Sequence, residues 1–174
     1  MSKSFLGRAD LPLGLRLNNP GNLIITADRW KGGIYPGNHN RFVTFENILF
    51  GLRAKFIDIL GDIIKGANTP TKLITQYAPP NENQTQVYIN NVSRALGIGP
   101  NDKIPFNESS ILKLSRAILN QENGQSYAAL ISDQDLKDAL KLVPAEKKNF
   151  NKVVAITGVS LILVVLGYLL LTSE

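Results

Sequence analysis

The chain has 174 residues, 44% of them hydrophobic and 19% charged, the proportions of one globular domain with a smaller part appended. It has no cysteine, which excludes a disulfide, a thiolate metal site and a thiol nucleophile; its single histidine, His39, lies in the loop "GIYPGNHNR" and argues against a histidine-rich metal site or a Ser-His-Asp triad. The net charge of +5 is scattered, with no basic stripe interleaved with aromatics, so it suits an anionic polymer or membrane surface rather than specific nucleic-acid recognition.

The first distinctive stretch is "LRLNNPGNL", Leu15 to Leu23. It is too polar and too broken for a helix or a strand interior. Pro20 and Gly21 suit the centre of a turn, and Asn18 or Asn19 can bond its own downstream backbone. "NLIITADRW" and "RFVTF" follow as two β-prone runs, separated by "KGGIYPGNHN", and are expected to pair as a small antiparallel ribbon. In "NILFGLRAKFIDILGDIIKG", Leu49, Leu52, Phe56, Ile59 or Leu60, and Ile63 fall at helical spacing, with Gly66 as the stop. "TPTKLITQYA" begins with Thr69 as N-cap and Pro70 at the first helical position, and ends at Pro79 and Pro80. "NENQTQVYINNVSRALG" places Tyr88, Val92 and Ala95 or Leu96 on one face and closes at Gly97. "NESSILKLSRAILNQENG" does the same with Ile111, Leu114 or Leu112, Ile118 and Leu119, and Gly124 is its terminator. "SDQDLKDALKLV" is a last helix, with Ser132 and Asp135 at the spacing of a capping box.

Val153 to Leu171, "VVAITGVSLILVVLGYLLL", carries no charge over nineteen residues. A helix of that length spans about 28 Å, close to a hydrocarbon core of ~30 Å. Lys147, Lys148 and Lys152 precede it and no basic residue follows it, which places the amino-terminal domain on the cytoplasmic side. The amino terminus has no long apolar run, so no secretory signal is expected there. The organisation expected is a working domain over residues 1–142, a basic linker over 143–152, a transmembrane helix over 153–171 and a polar tail over 172–174. The fold class is α+β: a mostly helical domain with a small β element, plus one carboxyl-terminal transmembrane helix.

Without cysteine or a metal-ligand cluster, the chemistry left to the chain is carboxyl chemistry, with no metal and no cofactor. Glu46 precedes one helix and Glu82 opens another, where the dipole favours the carboxylate and suits capping. Glu122 falls in the last turn of the "LSRAILNQENG" helix. There the dipole and neighbouring apolar residues both favour a retained proton, which glycoside cleavage requires of the acid that meets the leaving oxygen. A solvated glutamate at a helix end is the other reading of the same position.

"RLNNPGNL", then Trp30 and a glycine, then "FVTFENILFGLRA", then "YAPPNENQTQVYINNVS", then "AILNQENG" resembles, in that order, a group of phage structural proteins and peptidoglycan-degrading lytic transglycosylases that open with "R-NNPGN". The resemblance runs from Leu15 to Tyr127. It implies a lysozyme-like helical fold, binding of cell-wall glycan, and a virion protein of a phage whose particle contains lipid. Carried over by position, Glu122 is the catalytic acid with Glu46 as runner-up. The substrate-binding residues are Asn18, Asn19 and Asn22, whose amides suit sugar hydroxyls and N-acetyl groups, with Trp30, Tyr77, Glu82 and Tyr88. Position 46 is often aspartate in similar proteins, and "ENILFGLRA" is too compressed to equate with the Glu-Ser and "GLMQ" stretches of soluble transglycosylases, so the choice of acid stays open.

Two functions are therefore carried forward. One is a membrane-anchored lytic transglycosylase of a virion, acting on peptidoglycan from the virion membrane or the host inner membrane. The other is a non-catalytic structural virion membrane protein with a degenerate glycan-binding domain. The partners expected are peptidoglycan, the lipid bilayer and capsid proteins, with no specific nucleic acid.

Overall fold

The computed structural model describes residues 3–77 and 84–150. Seven α-helices and two short strands follow in chain order among these residues: α1 Leu13–Arg16, β1 Gly33–Ile34, β2 Thr44–Phe45, α2 Ile48–Ile64, α3 Pro70–Tyr77, α4 Thr85–Leu96, α5 Glu108–Asn123, α6 Gln125–Ala128 and α7 Asp133–Lys141. A 3₁₀ turn, Ala145–Lys147, comes last.

α2 is the central helix. Leu52, Phe56, Ile59, Leu60 and Ile63 are buried along it, the stripe that a 3.6-residue period demands of a helix with one dry face. Asn47 caps it by accepting the backbone N–H groups of Leu49 and Phe50 at 3.1 and 3.3 Å. α7 lies against α2, while α3 packs on α4 and α4 on α5. On α4 the buried face is Tyr88, Ile89 and Val92, with Leu96 rather than Ala95 packed against the core. On α5 it is Ile111, Leu114, Ile118 and Leu119. The punctuation falls where the sequence puts it. Thr69 Oγ1 accepts the Lys72 N–H at 3.2 Å at the start of α3. Gly97 ends α4 in the left-handed region, and Gly124 ends α5 at φ +77°. Ser132 and Asp135 form the reciprocal capping box of α7.

The β element differs from expectation in its first strand. β1 comes from the Gly-rich connection, pairing antiparallel with β2 as Gly33 with Phe45 and Ile34 with Thr44. "NLIITADRW" contributes only a single bridge, Ile24 to Phe42, flanked by the Ile25 N–H on the Arg41 carbonyl at 2.8 Å and the Val43 N–H on the Leu23 carbonyl at 3.0 Å. After Ile25 the run makes no further bridge, and Thr26 to Arg29 are exposed. A second small apolar cluster, Leu23, Val43, Phe45 and Ala54, sits under this element.

Two further expectations change. The fold class is corrected, for the described residues, to a mostly helical domain with a two-stranded sheet, in which no helix is long and apolar enough to cross a membrane. α2, at 17 residues, carries Arg53, Lys55, Asp58 and Asp62. The expected span over 153–171 and the tail over 172–174 lie outside the described residues, as do Pro79 and Pro80. Residues 143–150, expected as a linker, pack on the domain. Val143 is buried, the Lys148 ammonium donates to the Leu140 and Lys141 carbonyls at the end of α7, and Phe150 meets Phe106 edge-on at 5.1 Å. The expected basic linker thus includes a lysine, Lys148, that satisfies helix-terminal carbonyls.

Candidate functional site

The turn after α1 reaches its shape through two asparagines with positive φ, Asn18 at +51° and Asn22 at +52°, a region asparagine tolerates better than other side chains. It is seated on α2 by two contacts that only glycine permits. A Cβ on Gly51 would stand 1.8 Å from the Asn18 carbonyl oxygen, and a Cβ on Gly21 would stand 2.6 Å from Lys55 Cδ. Gly51 and Lys55 are one turn apart on α2, so the helix receives the turn's backbone at one and lays its lysine stem along the turn at the other.

Asn18 and Asn19 are both 0% exposed, and their side chains are used within the fold. Asn18 Nδ2 donates to Ser4 Oγ and the Phe45 carbonyl, and its Oδ1 accepts the Phe5 N–H. Asn19 Nδ2 donates to the Leu23 and Val43 carbonyls, and its Oδ1 accepts the Leu23 N–H. Both amides are therefore closed to a sugar, against the expectation for them. They satisfy backbone groups that an irregular turn would otherwise bury unpaired.

Asn22 is different. Its Nδ2 donates to Glu122 Oε2 at 2.9 Å, across a hundred residues of sequence. From the other side the Tyr88 hydroxyl donates to Glu122 Oε1 at 3.3 Å. Glu122 is half-buried in the last turn of α5, and the next residue fixes that turn to the Asn18–Asn22 stretch. Asn123 Nδ2 donates to the Pro20 carbonyl at 2.8 Å and to the Leu119 carbonyl at 3.1 Å. Its buried Oδ1 has no hydrogen-bond partner among the described residues, but it lies 2.9 Å from where a Cβ on Gly14 would stand, with Asn22 Oδ1 2.7 Å from the same point. The Cα–H of Gly14 faces both oxygens, a weak contact that a larger residue would destroy.

A charged cluster the sequence reading did not find adjoins this carboxyl. Lys55 is 4% exposed. Its ammonium pairs with Asp58 at 3.1 Å and lies 3.7 Å above the Tyr77 ring centroid. The Tyr77 hydroxyl lies 3.2 Å from both Asp58 Oδ2 and Asp62 Oδ2. Burial pushes the Lys55 ammonium below the usual lysine range, while Asp58, Glu122 and Asp62 pull it back up. Burial raises both phenols. For Tyr77 the charges of Asp58 and Asp62 add to it, and for Tyr88 the charge of Glu122 does. Both tyrosines are therefore held as neutral donors. The signal was present: Lys55, Asp58 and Asp62 are three and four residues apart, a polar stripe beside the apolar one on the same helix.

The remaining expected residues lie apart from this constellation or outside what is described. Glu46 is exposed between β2 and α2, and the cap of α2 is its neighbour Asn47. Trp30 packs against the small cluster under the β element. Glu82 lies outside the described residues. The candidate site is thus Glu122 with its donors Asn22 and Tyr88, within electrostatic reach of the Lys55, Asp58, Tyr77 and Asp62 cluster on α2 and α3. It offers one half-buried carboxyl oriented by an amide and a phenol, beside a buried cation.

The chain is 31% identical over 117 residues to Protein P5 of Pseudoalteromonas phage PM2, a match covering 65% of this chain and 72% of that protein. The match puts the chain beside a phage protein, as the four motifs implied. No protein-family model matches the chain.

Proposed function

The chain belongs to the family of Protein P5 of Pseudoalteromonas phage PM2, and from that premise we propose that it is a phage virion protein that cleaves cell-wall glycan as a lytic transglycosylase, with Glu122 as the acid. The observation that carries this reading is the Glu122 carboxyl itself, half-buried at the end of α5 and held on its two oxygens by Asn22 and Tyr88. In this reading Glu122 gives its proton to the glycosidic oxygen as that bond breaks, and the sugar's own hydroxyl then closes on the anomeric carbon and returns a proton to the same carboxylate. One carboxyl serves both steps because no water is activated. Asn22 and Tyr88 fix its orientation, and Tyr88 stays a donor because burial holds its proton on. Peptidoglycan is the substrate, and capsid proteins are the neighbours in the particle.

One specific observation favours a second reading. The same two hydrogen bonds tie α5 to the first turn and to α4, which is what a purely structural latch does. The virion protein is then non-catalytic.

A cell-wall zymogram with the full chain and its Glu122→Gln variant separates the two. Catalysis by Glu122 predicts wild-type clearing and a variant loss of about 10²–10⁴-fold in rate, measured at a temperature where the variant is still folded. An active Glu122→Gln variant removes Glu122 as the acid and passes the role to Glu46 or Glu82. A wild type without clearing, together with a variant that melts lower, establishes the latch.

A further inference from the structure

A groove of about 690 Å³ lies between α4, α5 and α7, lined by the flank of α5 beside its buried stripe. Its floor is apolar, with Leu112, Ala117 and Leu136. Side-chain amides of Asn120 and Gln125 stand along it, and Lys113, Arg116 and Lys137 are its cations. Asp133 is its only carboxylate among the lining residues, and that carboxylate is bound to Arg116 at 2.7 Å.

The acids that would ordinarily neutralise the two lysines are committed elsewhere. On α7, Asp133 holds Arg116, Asp135 holds Lys3 and Asp138 holds Lys141. On α5 the acidic residues are Glu108, five residues before Lys113 and off its i,i+4 row, and Glu122, engaged by Asn22 and Tyr88. Lys113 and Lys137 are exposed and have no ion-pair partner among the described residues. Among the described residues no aromatic side chain lines the groove.

We propose that this groove is a docking site for an acidic peptide segment of a partner protein, independent of the Glu122 site. Apolar side chains of the segment sit over Leu112 and Ala117, the amides of Asn120 and Gln125 meet its backbone, and its carboxylates pair with Lys113 and Lys137. The volume is within the range of built ligand sites.

The test measures binding of two labelled eight-residue peptides to the full chain by fluorescence anisotropy, one alternating Glu and Leu and the other alternating Lys and Leu. The expected result is saturable binding of the acidic peptide alone, weakened by salt. Affinity should drop at least tenfold in Lys113→Glu/Lys137→Glu and also in Ala117→Phe, which fills the floor without changing charge. Both lysines are exposed, so the double variant should keep its melting temperature. Equal binding of the two peptides, no binding of either, or undiminished affinity in both variants overturns the proposal. So does displacement of the acidic peptide by chitin oligosaccharide, which would make the groove a sugar site.

Discussion

The Tyr88 hydroxyl donates to Glu122 Oε1 at 3.3 Å, and this bond joins α4 to the end of α5. Tyr88→Phe keeps the buried ring and removes only that donor. The loss of a hydrogen bond to a charged group costs about 1.5–3 kcal/mol, and a domain of this size moves roughly 2–4 °C per kcal/mol. The variant should therefore melt lower by several degrees with unchanged secondary structure by circular dichroism. A melting temperature equal to wild type would mean the phenol does not hold the carboxyl in solution.

Two glycines of α2 should respond to alanine with opposite signs. At Gly51 the new methyl would stand 1.8 Å from the Asn18 carbonyl oxygen, a backbone atom that cannot move without displacing the whole first turn. Gly51→Ala should cost upward of about 3 kcal/mol or abolish folding, more than ordinary overpacking. At Gly61 nothing lies within 4 Å of the added Cβ, and the gain in helix propensity is about 0.5–1 kcal/mol. Urea denaturation of the two variants beside wild type reads both signs at once.

The helical frame was legible because its signals are local. The apolar period of α2 and α5, Gly97 and Gly124 at helix ends, and the Ser132–Asp135 box each act within a few residues of chain. The site was half legible. Glu122 and Asn22 were singled out, but Asn18 and Asn19 were grouped with Asn22, because an amide that serves a buried carbonyl and one that meets a half-buried carboxyl are the same residue in sequence. Only packing against Phe45 and Val43 separates them. Tyr77 and Tyr88 were read as aromatic surfaces, and their hydroxyls turn out to be what touches the acids. Lys55 was missed because a helical reading assigns a lysine to solvent, and nothing in the neighbouring residues announces that Gly21 leaves room for its stem.

Stability should decline in alkali for a reason tied to Tyr77 and Tyr88. Burial raises both phenols above the ordinary value of 10.0. Below pH 10 they are neutral in the folded and unfolded chains alike and add no pH dependence. Above it the unfolded chain releases protons the fold retains, so stability falls as pH rises, by at most about 1.4 kcal/mol per pH unit for each tyrosine. Lys55 works in the opposite direction, since its folded ammonium is lowered by burial and its strain is relieved as pH rises toward 10.5. Denaturation between pH 10.5 and 12, above the range in which Lys55 acts, should give a falling curve in wild type. The fall should be shallower in Tyr88→Phe, because the Lys55 contribution is unchanged and one phenol is gone. A curve of the same steepness in both proteins would contradict the assignment.

Asn22 and Tyr88 share Glu122 as acceptor, and that makes their coupling measurable. Asn22→Gly suits the backbone at φ +52°, so it removes the amide without straining the turn, whereas Asn22→Ala would confound the two effects. Each single variant, Asn22→Gly or Tyr88→Phe, leaves Glu122 with one donor among the described residues. The double variant leaves it with neither of the two, and a half-buried carboxylate then has to draw on water or turn outward. The double variant should therefore lose a different amount of stability than the two singles together, with a coupling of about 0.5–3 kcal/mol. In Glu122→Gln the same cycle should shrink, because the charge that both donors share is gone. Strict additivity in the wild-type background would show that Asn22 and Tyr88 act on separate parts of the fold and that the carboxyl is not the joint between them.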